Sequence, residues 1–243
     1  MIGATTTIGN AAIAAVVFVT AYLVGSFPNA YLIVKRVSGE DITAHGSGNV
    51  GAMNVRRTTG SWRWFGIAMA ADFLKGLAPV AVTKFVVMGS VALLVQPWGV
   101  TLSSVSSQWS LNPFYYVPMA AVAGAVFGHN YSLWLAIVKR HFMRTGKGLA
   151  TGAGALLAYD WRYFLAVVVV GLTVIAISRY MMAGQVVASF TVPLAAILLR
   201  SPDWIFATVM GLVVYAAHHK RFLGLLAGKE PKFYVNDRQG PTG

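Results

Sequence analysis

The sequence predicts an all-α integral membrane protein, a bundle of seven spans whose fourth is short. Three observations predict it. Of the 243 residues, 57% are hydrophobic and only 11% charged, whereas an ordinary soluble domain has about 25% charged residues. Apolar runs recur along the chain, and a spanning helix needs roughly 20 mainly apolar residues. Lys and Arg collect in alternate connections, as they do in cytoplasmic loops.

The first span reads from Ala12 to Val34. The residues before it carry no basic region. The run is longer than the apolar core of a signal peptide and shows no evident cleavage site, so it is expected to be retained. The second span reads from Trp64 to about Val91, the third from Phe114 to Val138 and the fourth from Leu149 to Tyr159. At about 1.5 Å per residue the fourth covers only part of a bilayer, and a half-span or re-entrant helix is the alternative. The fifth reads from Tyr163 to Ile177, the sixth from Gly184 to Leu199 and the seventh from Trp204 to Ala217.

The connections orient these spans. Lys35, Arg36, Arg56, Arg57 and Arg63 lie between the first and second, and Lys139, Arg140, Arg144 and Lys147 between the third and fourth. The connection between the second and third has no basic residue, and the stretch from Lys220 to Arg238 is basic again. The N-terminus is therefore expected outside and the C-terminus in the cytoplasm. Trp98, Trp109, Trp161 and Trp204 near span ends fit an aromatic belt. Residues 1–230 read as one membrane domain and 231–243 as a polar tail. No internal repeat of the transporter kind is apparent.

Composition also excludes chemistry. The chain has no cysteine, so disulfides, thiolate nucleophiles and cysteine-ligated metals do not arise. Carboxylates are few and the histidines lack ligand spacing, so neither metal nor cofactor is expected. The formal charge of +12 reads as an orientation marker, and no nucleic-acid partner is inferred from it.

The loop "HGSGNVGAMNVRRTTG", residues 45–60, follows the first span. Its "GSGNVG" matches a dinucleotide fingerprint, but that motif has meaning only between a strand and a helix. Closely spaced glycines let backbone N–H groups converge on an anion and let a phosphate approach. Ser47, Gly48, Asn49, Gly51 and Asn54 supply neutral donors and turns, while Arg56 and Arg57 supply guanidinium groups suited to phosphate. Single residues of this kind more often serve packing or orientation. The cluster as a whole reads as an anion receptor.

Two further clusters lie on the same predicted side. "RTGKGLATGAG" from Arg144 leads into the short fourth span, whose N-terminus would point free N–H groups at the cytoplasmic face. Lys147 with Gly146 and Gly148 is a second phosphate candidate, although Gly148 and Gly152 also read as a helix-packing pair. His218, in "HHKRFLGLLAGKEPK", is the third candidate. Within the spans, Asp72 and Lys75 can pair on one helical face, as a functional or a structural ion pair. Lys84 reads as snorkelling to the outer interface, and His129 and Asn130 as bonding across helices.

These residues resemble the bacterial membrane glycerol-3-phosphate acyltransferases of the PlsY type. The resemblance is carried, in family order, by "GSFP" at Gly25–Pro28, the loop at 45–60, "DFLKG" at Asp72–Gly76, "GHN" at Gly128–Asn130, "GKGLATG" at Gly146–Gly152 and "H…GKEPK" from His218. It implies the family's seven-span bundle with a cytoplasm-facing groove, in a bacterial plasma (inner) membrane. It implies transfer of a fatty acyl group from acyl phosphate, rather than acyl-CoA, to the 1-hydroxyl of glycerol 3-phosphate, giving lysophosphatidic acid and phosphate. Ser47, Arg57, Lys147 and His218 fall on catalytic positions of that family. Gly48, Asn49, Gly51, Asn54, Asp72, Lys75, Gly146 and Gly148 are the expected substrate-binding residues.

No acidic residue is expected in the clusters to act as a base, so two phosphates held by cations would carry the reaction by proximity and charge. Membrane lipid is the other partner expected. The chain departs from the family pattern at Thr43, Met53, His219, Arg221 and Gly224. It also carries about six extra residues after "GHN" and has Thr145 in a segment usually richer in glycine. A non-catalytic paralogue that binds or transports a small organophosphate is the alternative.

Overall fold

The computed structural model describes residues 2–95, 116–230 and 232, with side chains from residue 11 to 86 and from 116 onward. Trp98, Trp109 and nearly all of the polar tail lie outside the described residues. Within those described, the regular structure is helical: α1 Ile2–Gly25, α2 Asn29–Ser38, α3 Ala52–Thr59, α4 Trp62–Val95, α5 Val117–Asn130, α6 Leu133–Lys139, α7 Leu149–Tyr159, α8 Trp161–Ser178, α9 Met181–Leu198 and α10 Trp204–Leu226.

Five segments are long and apolar enough to cross a membrane: Ala11–Ser38, Trp62–Val86, Val117–Lys139, Trp161–Ser178 and Met181–Leu198. The protein is a multi-pass membrane protein. α7 is too short to join them, as expected. α10 holds the apolar 204–217 stretch but continues into His218, His219, Lys220 and Arg221, which dilutes its hydrophobicity.

Two expected spans are broken. The first stops at Gly25 and resumes at Asn29, and the third stops at Asn130 and resumes at Leu133. Pro28 explains the first break, because it has no N–H and disfavours helical geometry in the residue before it. Carbonyls freed at membrane depth need partners. Leu23 O accepts from Trp134 Nε1 at 3.0 Å, Phe27 O from Lys75 Nζ at 2.9 Å, and Tyr131 O from the Tyr22 hydroxyl at 2.7 Å. Ser26 O accepts from the Ser132 hydroxyl. Lys75 thereby acts on the first break while also pairing with Asp72 at 2.9 Å.

Small residues let the helices close. A side chain at Gly25 or Gly128 would strike α5 or α1 backbone at Ala125 or Tyr22, and one at Gly76 or Gly154 would strike Thr151 or Phe73. This is the packing that membrane helices use. It corrects the expected Gly148–Gly152 pair. Gly148 is instead the N-cap of α7 with φ 75°, and Gly152 meets only Val126 Cγ2 at 3.9 Å. Lys84 also differs from expectation. Its ammonium caps the C-terminus of α7, donating to Ala158 O at 3.0 Å and Tyr159 O at 2.8 Å, where a cation also meets the negative end of the helix.

Beside the bundle, α2, α3, α6 and the start of α4 enclose a separate apolar core of Ala30, Val34, Ile42, Val55, Ala68 and Leu135. Val50, within the loop of residues 45–51, also belongs to this core. The broken spans thus supply the rigid platform on which the polar loops sit.

Candidate active site

The first loop is organised by Asn54 on α3, which is 1% exposed. Its amide donates to Ile42 O and His45 O, both at 3.0 Å, and accepts from the Ser47 N–H at 3.2 Å. With both N–H groups engaged, Asn54 shapes the loop. Gly46 and Gly48 turn it with φ of 55° and 68°, a region open to glycine at little cost. Asp41 accepts from Thr43 N at 3.0 Å and pairs with Lys139, tying the loop to α6. Arg56 lies over the Trp62 ring, 3.9 Å from its centre, while Arg57 interacts by charge with Lys147, Arg221 and Glu230.

The second loop is clamped to the first. Val50 N donates to Thr145 O at 2.7 Å, and Thr145 N donates to Asn130 O at 2.8 Å. The Thr145 hydroxyl, 2% exposed, donates to His129 O at 2.9 Å and accepts from Ser132 N at 3.2 Å. Gly146 lies against the His129 ring, leaving no space for a Cβ. The chain then turns through Gly148 into α7, whose first N–H groups have no intrahelical partner.

Both loops and α7 face one cavity of about 560 Å³. Its polar lining consists of Asn49, Asp72, His129, Lys147 and His218, with Gly148 next to Lys147, and Gln185 of α9 also lines the cavity. Its apolar part runs between facing stripes of α4 and α8, including Phe65, Met69, Val168, Leu172 and Ile175. Phe73 and Phe164, in edge contact at 6.0 Å between ring centres, also line it. The α8 positions recur every three or four residues, one helical face.

Electrostatically the polar end is cationic. The Lys147 ammonium is pushed down to about 8, by burial first and then by Arg221, with Arg144 and Arg57 adding to the effect and Glu230 opposing it. Desolvation, Arg221 and Arg56 lower Arg57 as well, again against Glu230. Arg221 donates from Nε to Glu230 at 2.8 Å and through a second short contact. This corrects the expectation of clusters without acid: Glu230 belongs to the third cluster, and Asp72 lines the cavity. Glu230 is engaged by Arg221 and serves as a counter-ion among four cations. His218 is 1% exposed, its Nδ1 lies 2.8 Å from Val214 O, and Nε2 has no partner. Nδ1 must carry the proton to make that bond, so Nε2 is an unfilled acceptor.

The structure therefore brings Asn49, Gly51, Asp72, Lys147, Gly148 and His218 to one cavity wall. Arg57 is coupled to Lys147 by charge. Ser47, Gly48, Asn54, Gly146 and Lys75 do not line the cavity: the first four build its loops, and Lys75 braces the break after α1 at Phe27. Sequence reasoning missed Thr145, Gln185 and the Arg221–Glu230 pair. A lone amide in an apolar helix was a signal for Gln185. Thr145 carried none, since its role depends on where two loops meet.

A cationic pocket joined to an apolar slot fits an amphiphile with an anionic head. The sequence model described as glycerol-3-phosphate acyltransferase matches residues 15–228. The chain belongs to the PlsY family of glycerol-3-phosphate acyltransferases. The glycerol-3-phosphate acyltransferase of Trichormus variabilis is 32% identical over 228 residues, covering 89% of this chain and 90% of that one. The enzyme of Geobacter sulfurreducens is 34% identical over 217 residues, covering 88% and 94%. A crystal structure of PlsY, an integral membrane glycerol 3-phosphate acyltransferase in its glycerol 3-phosphate form, matches with a TM-score of 0.71 at 26% identity, over 91% of this chain and 96% of that one. Its lysophosphatidic acid form matches with a TM-score of 0.68 at 25% identity. This PlsY family member thus shares the fold of a structure solved with glycerol 3-phosphate.

Proposed function

We propose that this PlsY family member transfers a fatty acyl group from acyl phosphate to the 1-hydroxyl of glycerol 3-phosphate, releasing lysophosphatidic acid and inorganic phosphate. The observation that carries the reading is the single cavity whose cationic end, at Lys147 and the α7 N-terminus, opens into an apolar slot between α4 and α8. Both substrates present phosphate to the first, and only the donor needs the second.

The hydroxyl oxygen attacks the acyl carbonyl carbon, the bond from that carbon to the phosphate oxygen breaks, and the hydroxyl proton passes to the departing phosphate. Lys147, Arg57 and the N–H groups that open α7 hold the two phosphates and stabilise the leaving anion. His218 Nε2 accepts the hydroxyl hydrogen bond and orients the attack. Ser47, Gly48 and Asn54 hold the loop in register, and Asn49 and Gly51 form its cavity edge.

Topologically, α7 and α10 complete seven membrane-embedded segments, with the N-terminus outside and the cavity open to the cytoplasm of a bacterial plasma membrane. The basic residues around the cavity support that orientation. Residues 1–230 form the catalytic domain.

The test is phosphate release by the purified protein supplied with palmitoyl phosphate, with and without glycerol 3-phosphate. Release that depends on glycerol 3-phosphate, with lysophosphatidic acid formed, supports the reading. No release, with acyl-CoA also inactive, overturns it in favour of a protein that binds or carries an organophosphate.

A further inference from the structure

Next to the main cavity lies a second, narrower space of about 60 Å³ inside the bundle. The two share a wall of Gly148, Leu149, Ala153, Val167 and Ala188. The fissure continues between α5, α7, α9 and α10, lined by Val126, Gly152, Leu156, Val192, Met210 and Val214. Its side-chain lining is apolar apart from Ser189, whose hydroxyl is bonded to Val186 O at 2.6 Å. It therefore offers nothing to water. It begins beside the polar end, at Gly148 and at Val214, the residue whose carbonyl holds the His218 ring, and runs from there along α7 to Leu156 and along α10 to Met210.

Within the fissure wall, Gly152 is the glycine that packing leaves unexplained. Glycine is a poor helix former, and Gly76, Gly124 and Gly154 are glycine because a Cβ would strike a neighbouring carbonyl. At Gly152 the nearest atom to such a Cβ is Val126 Cγ2 at 3.9 Å, an ordinary contact distance. A side chain would fit there, and it would project into the fissure.

We propose that the fissure receives the terminal methylenes of the acyl chain and that Gly152 sets the chain length accepted. The inference rests on the acyltransferase reading. A void of this size has room for about two water-sized groups at ~30 Å³ each, so it discriminates among chains differing by a few carbons. Of the three glycines in its wall, Gly148 has a φ of 75° and a Cβ at Gly211 would strike Ser189 O, so Gly152 is the one with room for a side chain.

The test measures kcat/KM of the full chain with lauroyl, palmitoyl and stearoyl phosphate. Gly152→Leu fills the space, and the palmitoyl-to-lauroyl ratio is expected to fall at least about tenfold, the discrimination that a methylene or two commands in an apolar pocket. Met210→Ala enlarges the space and should raise the stearoyl-to-palmitoyl ratio. These ratios separate the proposal from general damage, which lowers all donors together. If Gly152→Leu does not fold, Met210→Ala and Val192→Ala decide alone. Unchanged ratios with an active wild-type protein overturn the fissure and leave the acyltransferase reading standing. An inactive wild-type protein with every donor overturns that reading, and the inference falls with it.

Discussion

The Ser132 hydroxyl donates to the carbonyl of Ser26, joining the points at which two apolar runs break. The same oxygen accepts from Leu135 N at 3.1 Å and caps α6. Ser132→Ala removes both bonds from a buried place, and such a loss costs about 1–3 kcal/mol. The expected result is a lower unfolding temperature in detergent, with Ser132→Thr closer to wild type. An unchanged temperature would show that the other contacts hold the breaks by themselves.

Thr145 is expected to act through position. Thr145→Val keeps the backbone bonds to Val50 and Asn130 but loses the hydroxyl that joins His129 O to Ser132 N. It should lower kcat/KM about tenfold, since small displacements of positioning groups are costly in rate, and Thr145→Ser should restore it. Equal activity in the valine variant would remove the hydroxyl from the account of the site.

Arg57→Ala and Lys147→Ala should each lower kcat/KM by about 100-fold or more, the scale of losing a preorganised charge contact, while the protein stays folded and monodisperse. His218→Ala should be milder. Near-normal rates in both charge variants would dismantle the proposed site, and complete loss in the histidine variant would give His218 a larger part than orientation.

The pH dependence follows from Lys147, whose pKa is about 8 in the folded protein. Phosphate binding requires the protonated form, so kcat/KM should fall as pH rises through about 8. Stability should move the other way. The unfolded chain keeps its proton to the ordinary lysine value, binds more protons between the two, and so favours the folded state as pH rises over that interval. Arg221→Gln removes the second cause of the depression and should shift the activity limb upward. A limb that tracks unfolding in circular dichroism would remove Lys147 from its cause.

Lys84→Met retains the stem and removes the ammonium that caps α7. A loss of about 1–3 kcal/mol is expected for charge-assisted bonds at this depth, read as a lower unfolding temperature with activity retained at low temperature. No change would mean that Ala158 O and Tyr159 O find other donors.

Much of this was legible in advance, for local reasons. The bounds of α7 follow from the glycines before it and Asp160 after it. Lys147 and His218 announced themselves as polar or cationic residues beside apolar runs, and Gly148 as a glycine at the start of one. Asn54 was legible as part of the loop, but not as its hub. The breaks at residues 26–28 and 131–132 carried local signals, Pro28 in the first and the polar run from His129 to Ser132 in the second, but helix continuity depends on backbone partners that hydropathy does not report. Lys84 and Lys75 read as snorkelling or pairing charges until their carbonyl partners, 74 and 48 residues away, were seen.

By itself the sequence determined the membrane class, the helical spans and the three polar clusters, since each depends on composition and spacing within a short window. Only the tertiary structure decided that the clusters form one site. That outcome depends on the Val50–Thr145 bond between two loops, on glycines that let α4 and α7 touch, and on Arg221 and Glu230 arriving from the far end of the chain. Bilayer hydropathy acts residue by residue, whereas a cavity is the space that packed helices leave between them, and no residue encodes it alone.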